Sequence, residues 1–578
     1  FSSFHLGEMK EAEQEFAAFH AKFPQHDYRE WSLVYLGYAQ LQTGKPKEAG
    51  PSFEAALKAY PQGEMFEDAE FGLARVYEST GQPENAIKLY TKLSQNPAGL
   101  RNEQALMKLG GLHFELQQFA ESAKAYDDLA SKYPRSDQLP TARMNAGYAY
   151  FRASKFDTAA ERFAEAATAE SQAVTAHYWK GLSEKTLGRY PAAVQSFSAA
   201  VESLPSDSPQ LATIRYHWAD AEYLQGRYAE AEPIFLAALS VDSKSEVADA
   251  ALHRAALSCL AQNKTERAAE LVARFQQEYP QSPLLDYVTL LSGQIQIATA
   301  RDDNLKAAEA ALRQLLAATQ IDSLKDLTRY QLARSLEKQN RCEEALETLA
   351  PLTETLTEQS SSDLIQALLL EAECHRRLAQ RTLLEARPLR AQIATFQTSD
   401  SPTATDELKQ RLSAVERVAE TRAAKSIAAL DRFVSLLSTA ANTPSVLQIR
   451  AVCEAILGEQ EKVRAALKTY TSATTPAEAA ALVLEVAEIV YDRERYGWAA
   501  ELFATATSDE TPEASRPPAL SGLGWSQYKL QQFDQSASTF ARLATEYAGS
   551  PLAPEARFQQ ADSLRLAGKT TEARQAFA

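Results

Sequence analysis

The chain has 578 residues and a net charge of −16, with 60 basic against 76 acidic side chains. Apolar residues make up 45% and charged residues 24%, an ordinary balance for a folded chain that excludes collagen-like and disordered compositions. The acidity argues against wholesale binding to nucleic acid, which needs a basic face, and no uncharged apolar run is long enough to predict a membrane span.

Read from the first residue, small side chains recur with a large apolar residue four positions later. The pairs are Ala12/Phe16, Ala49/Phe53, Ala86/Tyr90, Ser122/Tyr126, Ala159/Phe163, Ala193/Phe197, Ala231/Phe235 and Ala268/Val272. The step is mostly 37 residues, falling to 34 once and rising to 38 once. Twelve residues before each small residue stands another: Gly37, Ala74, Gly110, Gly147, Gly181, Ala219 and Ala256. Turn formers lie between the two, as in Thr43-Gly44-Lys45-Pro46 and Thr80-Gly81-Gln82-Pro83. Each unit therefore reads as a helix A, a tight turn and a helix B, with close helix crossing at the small residues. One hairpin cannot bury its apolar face alone; stacked hairpins can.

The middle of the chain departs from the pattern. Residues 284–320 form a loose repeat around Gly293 and Ala308, and Ala345/Leu349 continues the spacing. A helix over 363–380 leads into Leu384–Phe396, interrupted by Pro388. A polar breaker follows at 398–405, then a long amphipathic helix over about 405–440 with Leu408, Leu412, Val415, Val418 and Ala419 along one side. That helix either packs onto the repeats or pairs with a second copy. Residues 445–470 read as a degenerate repeat, and the register recovers at 478 with Ala499/Phe503, Ser536/Phe540 and Ala573/Phe577. The expected organisation is 1–283, an N-terminal superhelix; 284–360, divergent repeats; 361–477, an irregular helical segment; and 478–578, C-terminal repeats. Both ends read as cuts inside a repeat.

This pattern resembles the tetratricopeptide repeat, with small residues at positions 8 and 20, a large apolar residue at 24, a small apolar one at 27 and Pro at 32. Gly37, Ala49, Phe53, Ala56 and Pro61 match it position by position. The resemblance implies an all-α fold, a solenoid of α-α hairpins forming a superhelix. The added residues lie in linkers such as Tyr133-Pro134-Arg135-Ser136 and Tyr279-Pro280-Gln281-Ser282-Pro283. These are similar to linkers in bacterial envelope repeat proteins, the outer-membrane assembly lipoproteins of the BamD type and the periplasmic division coordinators of the CpoB type. That likeness implies a periplasmic or cell-envelope location, with the cytoplasm as the alternative.

No catalytic constellation stands out. Gly568-Lys569-Thr570 lacks the earlier glycine and preceding strand of a phosphate-binding loop. His113, His217, His253 and His375 are scattered through helical repeats, and Asn263-Lys264-Thr265 is a glycosylation sequon by letters only. Cys259, Cys342, Cys374 and Cys453 form no C-x-x-C motif and read as buried small hydrophobes. No metal or cofactor is expected. In the family, positions 2, 5, 9 and 12 of helix A face the concave groove. Carried over by register, the groove residues are Trp31, Tyr38, Phe71, Phe114, Met144, Tyr148, Phe151, Tyr178, Tyr216 and Tyr223. An aromatic lining suits contact with a peptide or helix of a protein partner. The expected function is a non-catalytic protein-binding scaffold. The alternatives are a regulatory region of a larger enzyme or signalling protein, and a self-associating solenoid.

Overall fold

Helices alternate with tight turns because each hairpin carries its own stop and start signals. In the computed structural model, which describes residues 1–96, 98–396 and 402–577, the described residues form helices and turns without strands. The first complete hairpin pairs Arg29–Gln42 with Pro46–Ala59, and the next pairs Phe66–Ser79 with Pro83–Ser94. Pro46 and Pro83 open their helices at the first position, where a missing N–H costs nothing. The turn between A and B needs one left-handed residue. Gly44 supplies it at φ +76°, whereas Asn340 and Glu494 accept the same conformation at +60° and +59°.

Packing follows the repeat register. A Cβ on Gly37 would lie 2.7 Å from the ring of Phe53, and one on Gly147 would lie 2.6 Å from Phe163. Position 8 is therefore small because the ring at position 24 presses on the backbone there. Phe53, Phe163, Phe197 and Phe235 are fully buried. Where position 20 is serine, its hydroxyl is satisfied by the position 8 carbonyl: Ser122 Oγ donates to Gly110 O at 2.8 Å and Ser536 Oγ to Gly524 O at 3.0 Å.

The lengthened linkers are held by carboxylates at position 1 of helix A. Glu30 accepts the Met65 N–H at 2.7 Å, Glu67 the Leu100 N–H at 2.8 Å, and Asp249 the Ser282 hydroxyl at 2.6 Å. Glu103 accepts from Ser136 in the same way. Each carboxylate also sits at the positive end of its own helix, which favours its charge.

The chain divides into two compact units, Phe1–Leu284 and Leu285–Ala578. The second begins with the hairpins Leu285–Ala298/Asp302–Ala318 and Asp322–Lys338/Cys342–Thr353. It then departs into two 35-residue helices, Ser362–Phe396 and Pro402–Leu436, packed on one another. The first of these corrects the expected break: it runs unbroken through Pro388. Pro388 and Leu384, whose carbonyl loses its partner, are both exposed, while Leu383, Ala386 and Leu389 are buried. Burial on one side outweighs the lost hydrogen bond on the wet side. The breaker read at 398–405 lies partly outside the described residues. Leu408 and Ala419 are buried as the amphipathic pattern requires, with Leu412 and Val415 packed beside Leu389 and Ile393. Val418 is a correction, since it points to solvent. Ser426 Oγ, which donates to Ala372 O at 2.7 Å, ties the two arms of the long hairpin together, and Arg432, which donates to Thr353 O at 2.9 Å, joins the hairpin to the preceding repeat. The remaining hairpins are Pro444–Leu457/Gln460–Ala473, Pro476–Asp492/Tyr496–Thr505, Arg516–Lys529/Phe533–Glu546 and Ala553–Leu566/Thr570–Phe577. Among the described residues, no helix is long and apolar enough to cross a membrane.

Candidate functional site

All ten residues expected in the groove lie on A helices of the first unit, yet none stands open to solvent. Phe71 and Met144 are corrections. They are 7% and 3% exposed, so they belong to the core: Phe71 packs edge-on against Tyr90 under the Arg101 guanidinium. The other eight are half-buried. Trp31 stacks on Tyr35, and Phe114 meets Phe119 edge-on. Tyr38 leans on Phe53 and its hydroxyl donates to Asp68 O at 2.7 Å, with burial holding the phenol well above its usual pKa. Tyr223 packs on Tyr228 with the Arg254 guanidinium 4.9 Å from its ring.

The structure brings Tyr148, Phe151, Tyr178 and Tyr216 together through two residues that the register reading did not include. Trp179 lies 5.1 Å from Tyr148, 5.2 Å from Phe151 and 5.8 Å from Tyr178, centroid to centroid. His217 lies 5.8 Å from Tyr178 and 5.2 Å from Tyr216. Both stand at position 6 of their helices, so their rings fill the space between neighbouring A helices. Burial and the Lys185 ammonium push His217 down to about 4, against the pull of Asp220. Lys185 Nζ donates to Asp220 at 2.9 Å and sits 3.2 Å from His217 Nδ1, an arrangement that suits the neutral ring.

In the second unit the same register leads to an open cleft. Positions 2, 5 and 9 of helix Arg516–Lys529 are Pro518, Ser521 and Trp525; positions 9 and 12 of helix Pro476–Asp492 are Glu488 and Tyr491. These five residues, with Phe503 and Leu552, line a cleft of about 550 Å³. Position 6 is Gly522, pressed so close to Phe503 that a Cβ would lie 2.4 Å from its ring. Arg387 of the long hairpin forms the far wall, its Nε donating to Asp492 Oδ2 at 2.7 Å. Gln380 of the same helix donates to Glu485 at 2.7 Å, and Arg493 pairs with Glu420. Glu488 makes no hydrogen bond or ion pair among the described residues. Partial burial holds its carboxyl above the usual range; Asp492 and Glu485 add to this and Arg387 opposes it. Tyr491 is pushed up to about 12 by burial, then by Tyr496 and Asp492. Continuing the groove register past residue 478 would have found this site. A smaller cleft of about 350 Å³ includes positions 5, 9 and 12 of helix Asp322–Lys338, namely Tyr330, Arg334 and Glu337.

Among the described residues no cluster of His, Cys, Asp and Glu is arranged to hold a metal. The chemistry offered by the large cleft is contact: aromatic faces, a carboxylate without a partner and an arginine wall.

The tetratricopeptide-repeat family model matches residues 71–137, 144–208 and 522–578. A second tetratricopeptide-repeat model matches 31–63, and one for a tetratricopeptide repeat-like domain matches 240–373. Together these segments take in more than half of the chain. No curated protein matches the sequence. Among solved structures, YrrB, titled a TPR protein with an unusual peptide-binding site, is 18% identical over 34% of this chain and 94% of its own, with a TM-score of 0.28. A tetratricopeptide repeat protein from Parabacteroides merdae is 19% identical over 53% of this chain and 98% of its own, at 0.22. A chain of the Naa15/Naa10 complex bound to HypK-THB is 11% identical over 100% of this chain and 96% of its own, at 0.34. With the repeat register met in the packing of hairpin after hairpin, the chain is a tetratricopeptide-repeat protein.

Proposed function

We propose that the chain is a non-catalytic scaffold that takes an extended peptide or a helix of a protein partner on the helix-A face of its repeats. The observation that carries this reading is the cleft beside Trp525. It opens at the positions that register assigns to the binding face, and it combines aromatic surface with a carboxylate that has no partner of its own. The half-buried rings of Tyr148, Phe151, Tyr178 and Tyr216 offer the first unit's counterpart, a firm surface with less depth. The Tyr-Pro-x-Ser linkers support placing the protein in the bacterial cell envelope, in an assembly, division or secretion complex. Fractionation of cells expressing the full-length protein tests that placement, and recovery in the cytosol alone would overturn it.

The binding test uses peptides selected from a random display library on the intact chain. Ser521→Trp should fill the cleft and weaken the selected peptides at least tenfold, about 1.4 kcal/mol, while leaving the unfolding midpoint nearly unchanged. Peptides that bind Ser521→Trp as well as the parent protein would remove the cleft from the proposal.

A further inference from the structure

Helix Pro476–Asp492 carries three carboxylates on one stripe, Glu485, Glu488 and Asp492, spaced three and four residues apart. Helix Ser362–Phe396 of the long hairpin answers them in a fixed register of 105 residues. Gln380 Nε2 donates to Glu485 Oε1 at 2.7 Å, with Arg376 Nη1 3.4 Å from the same oxygen. Seven residues on, Arg387 Nε donates to Asp492 Oδ2 at 2.7 Å. The residue in register with Glu488 is Leu383, which is 4% exposed and part of the apolar core. It brings no donor. Among the described residues, the middle carboxylate of the stripe is therefore left without the hydrogen bonds of its neighbours, and it opens onto the cleft beside Trp525.

The rings of the cleft lack a cation as well. In the first unit, an arginine from the next repeat covers a ring at two groove positions: Arg101 lies 5.5 Å from the Phe71 centroid and Arg254 lies 4.9 Å from that of Tyr223. Among the described residues no cation stands over Tyr491 or Trp525. Neither cation lining the cleft makes up the difference. Arg387 is held by Asp492, and Lys529 ends its helix one turn beyond Trp525, where a positive charge suits the negative end of the helix dipole.

We propose that the cleft takes a basic side chain of the partner peptide, arginine or lysine, whose charge meets Glu488 and whose length lies against Trp525 and Tyr491. The inference rests on the peptide-binding reading of this cleft and names the chemistry of its ligand. A carboxylate beside an aromatic face suits either cation. A guanidinium gains more, because it stacks on a ring while giving two parallel N–H bonds to a carboxylate. The negative charges of Glu488 and Asp492 disfavour acidic side chains in the same place.

The test starts from peptides selected by display on the intact chain and keeps those that Ser521→Trp weakens. These should share one position that is arginine or lysine throughout. In a synthetic copy of one such peptide, methionine at that position should weaken binding at least tenfold, and exchange of arginine for lysine should cost less. Glu488→Gln should weaken the parent peptide by a similar factor and leave the methionine peptide unaffected, so that the two losses do not add. Its unfolding midpoint should not fall below that of the parent chain. Cleft-dependent peptides without a basic position, or losses that add, would overturn the inference and leave the peptide-binding reading standing. A selection in which no peptide responds to Ser521→Trp would overturn both. The methionine exchange is made in the peptide, so it decides the question even if Glu488→Gln folds poorly.

Discussion

Trp179 and Gly522 occupy the same position, the sixth of helix A, in repeats of the two units. Around Trp179 the wall is filled: its ring contacts Tyr148, Phe151, Tyr178 and Phe163. Around Gly522 the wall is open: the residue brings no side chain, Phe503 closes on its backbone, and the cleft lies beside Trp525 and Tyr491. Both regions are rich in aromatic residues, and both obey one register. What separates a firm ladder from a cleft is the size of the residue next to the groove positions, not the groove positions themselves. The long hairpin deepens the difference by placing Arg387 opposite Asp492.

The largest expected effect breaks the filled region from below. Phe163 is fully buried, lies against Gly147 and stacks with Trp179. Phe163→Ala should cost about 3–5 kcal/mol of folding stability. The loss should spread to neighbouring hairpins, because each repeat is stable only through its contacts with the next. Urea unfolding measures the first, and hydrogen exchange over residues 140–205 measures the second. Unchanged exchange there would show that position 24 does not anchor the ladder.

Acid should distinguish the walls by sign. An unfolded histidine takes up its proton near pH 6.5, whereas His217 in the folded chain does so at about 4. The folded state thus binds fewer protons in that window. Stability is full above about pH 6.5 and falls as pH drops toward 4, by an amount on the order of 2–3 kcal/mol. His253 is also held at about 4, chiefly by burial and then by Arg254, and adds in the same direction. Glu488 works the other way: its carboxyl is raised, so acid relieves a cost present at neutral pH. Unfolding curves at pH 7 and 4.5 should converge for His217→Gln relative to the parent chain. Equal pH slopes would mean that the imidazole is charged where it sits.

The hairpin pattern, the register and the seam near the long hairpin were legible in the sequence because they rest on spacing and on residue size at close crossings. Gly37 over Phe53 and Gly147 over Phe163 show that logic directly. Four things were not legible. Pro388 reads as a stop because sequence carries no record of the burial of Leu383, Ala386 and Leu389 around it. Phe71 and Met144 read as lining because register gives the direction of a side chain but not how far the next helix covers it. Trp179 and His217 were passed over because position 6 is not a groove position, although its ring decides whether the groove is open. The carboxylates at position 1 were visible as letters, but their partners lie about one repeat away and needed coordinates.

Trp525→Ala sharpens the comparison from the open side. Its indole meets Phe540 and Tyr528 edge-on while also lining the cleft. If it anchors a peptide, the truncation should weaken binding by about thirtyfold, about 2 kcal/mol. Tyr148→Ala, in the filled wall, should weaken the same peptide far less. Equal losses measured by titration would mean that depth is not what distinguishes the two regions.

The smallest effect concerns the hairpin wall. The Arg387–Asp492 pair joins a half-exposed arginine to a mostly buried aspartate, with side-chain exposures of 50% and 19%. Such pairs are screened by water and salt and contribute about 0–1 kcal/mol. Arg387→Gln should therefore leave the unfolding midpoint within about 1 kcal/mol of the parent chain. Its effect should appear in binding instead. Without the guanidinium, Asp492 and Glu488 are left facing the cleft with less compensation, so the selectivity of the site should move toward basic peptides and depend more steeply on salt. The measurement compares one basic and one neutral selected peptide at low and high ionic strength. A stability loss well beyond 1 kcal/mol, with the ratio of the two affinities unchanged, would show that the arginine serves to hold the hairpin rather than to wall the cleft. In that case the open region would owe its shape to Gly522 alone.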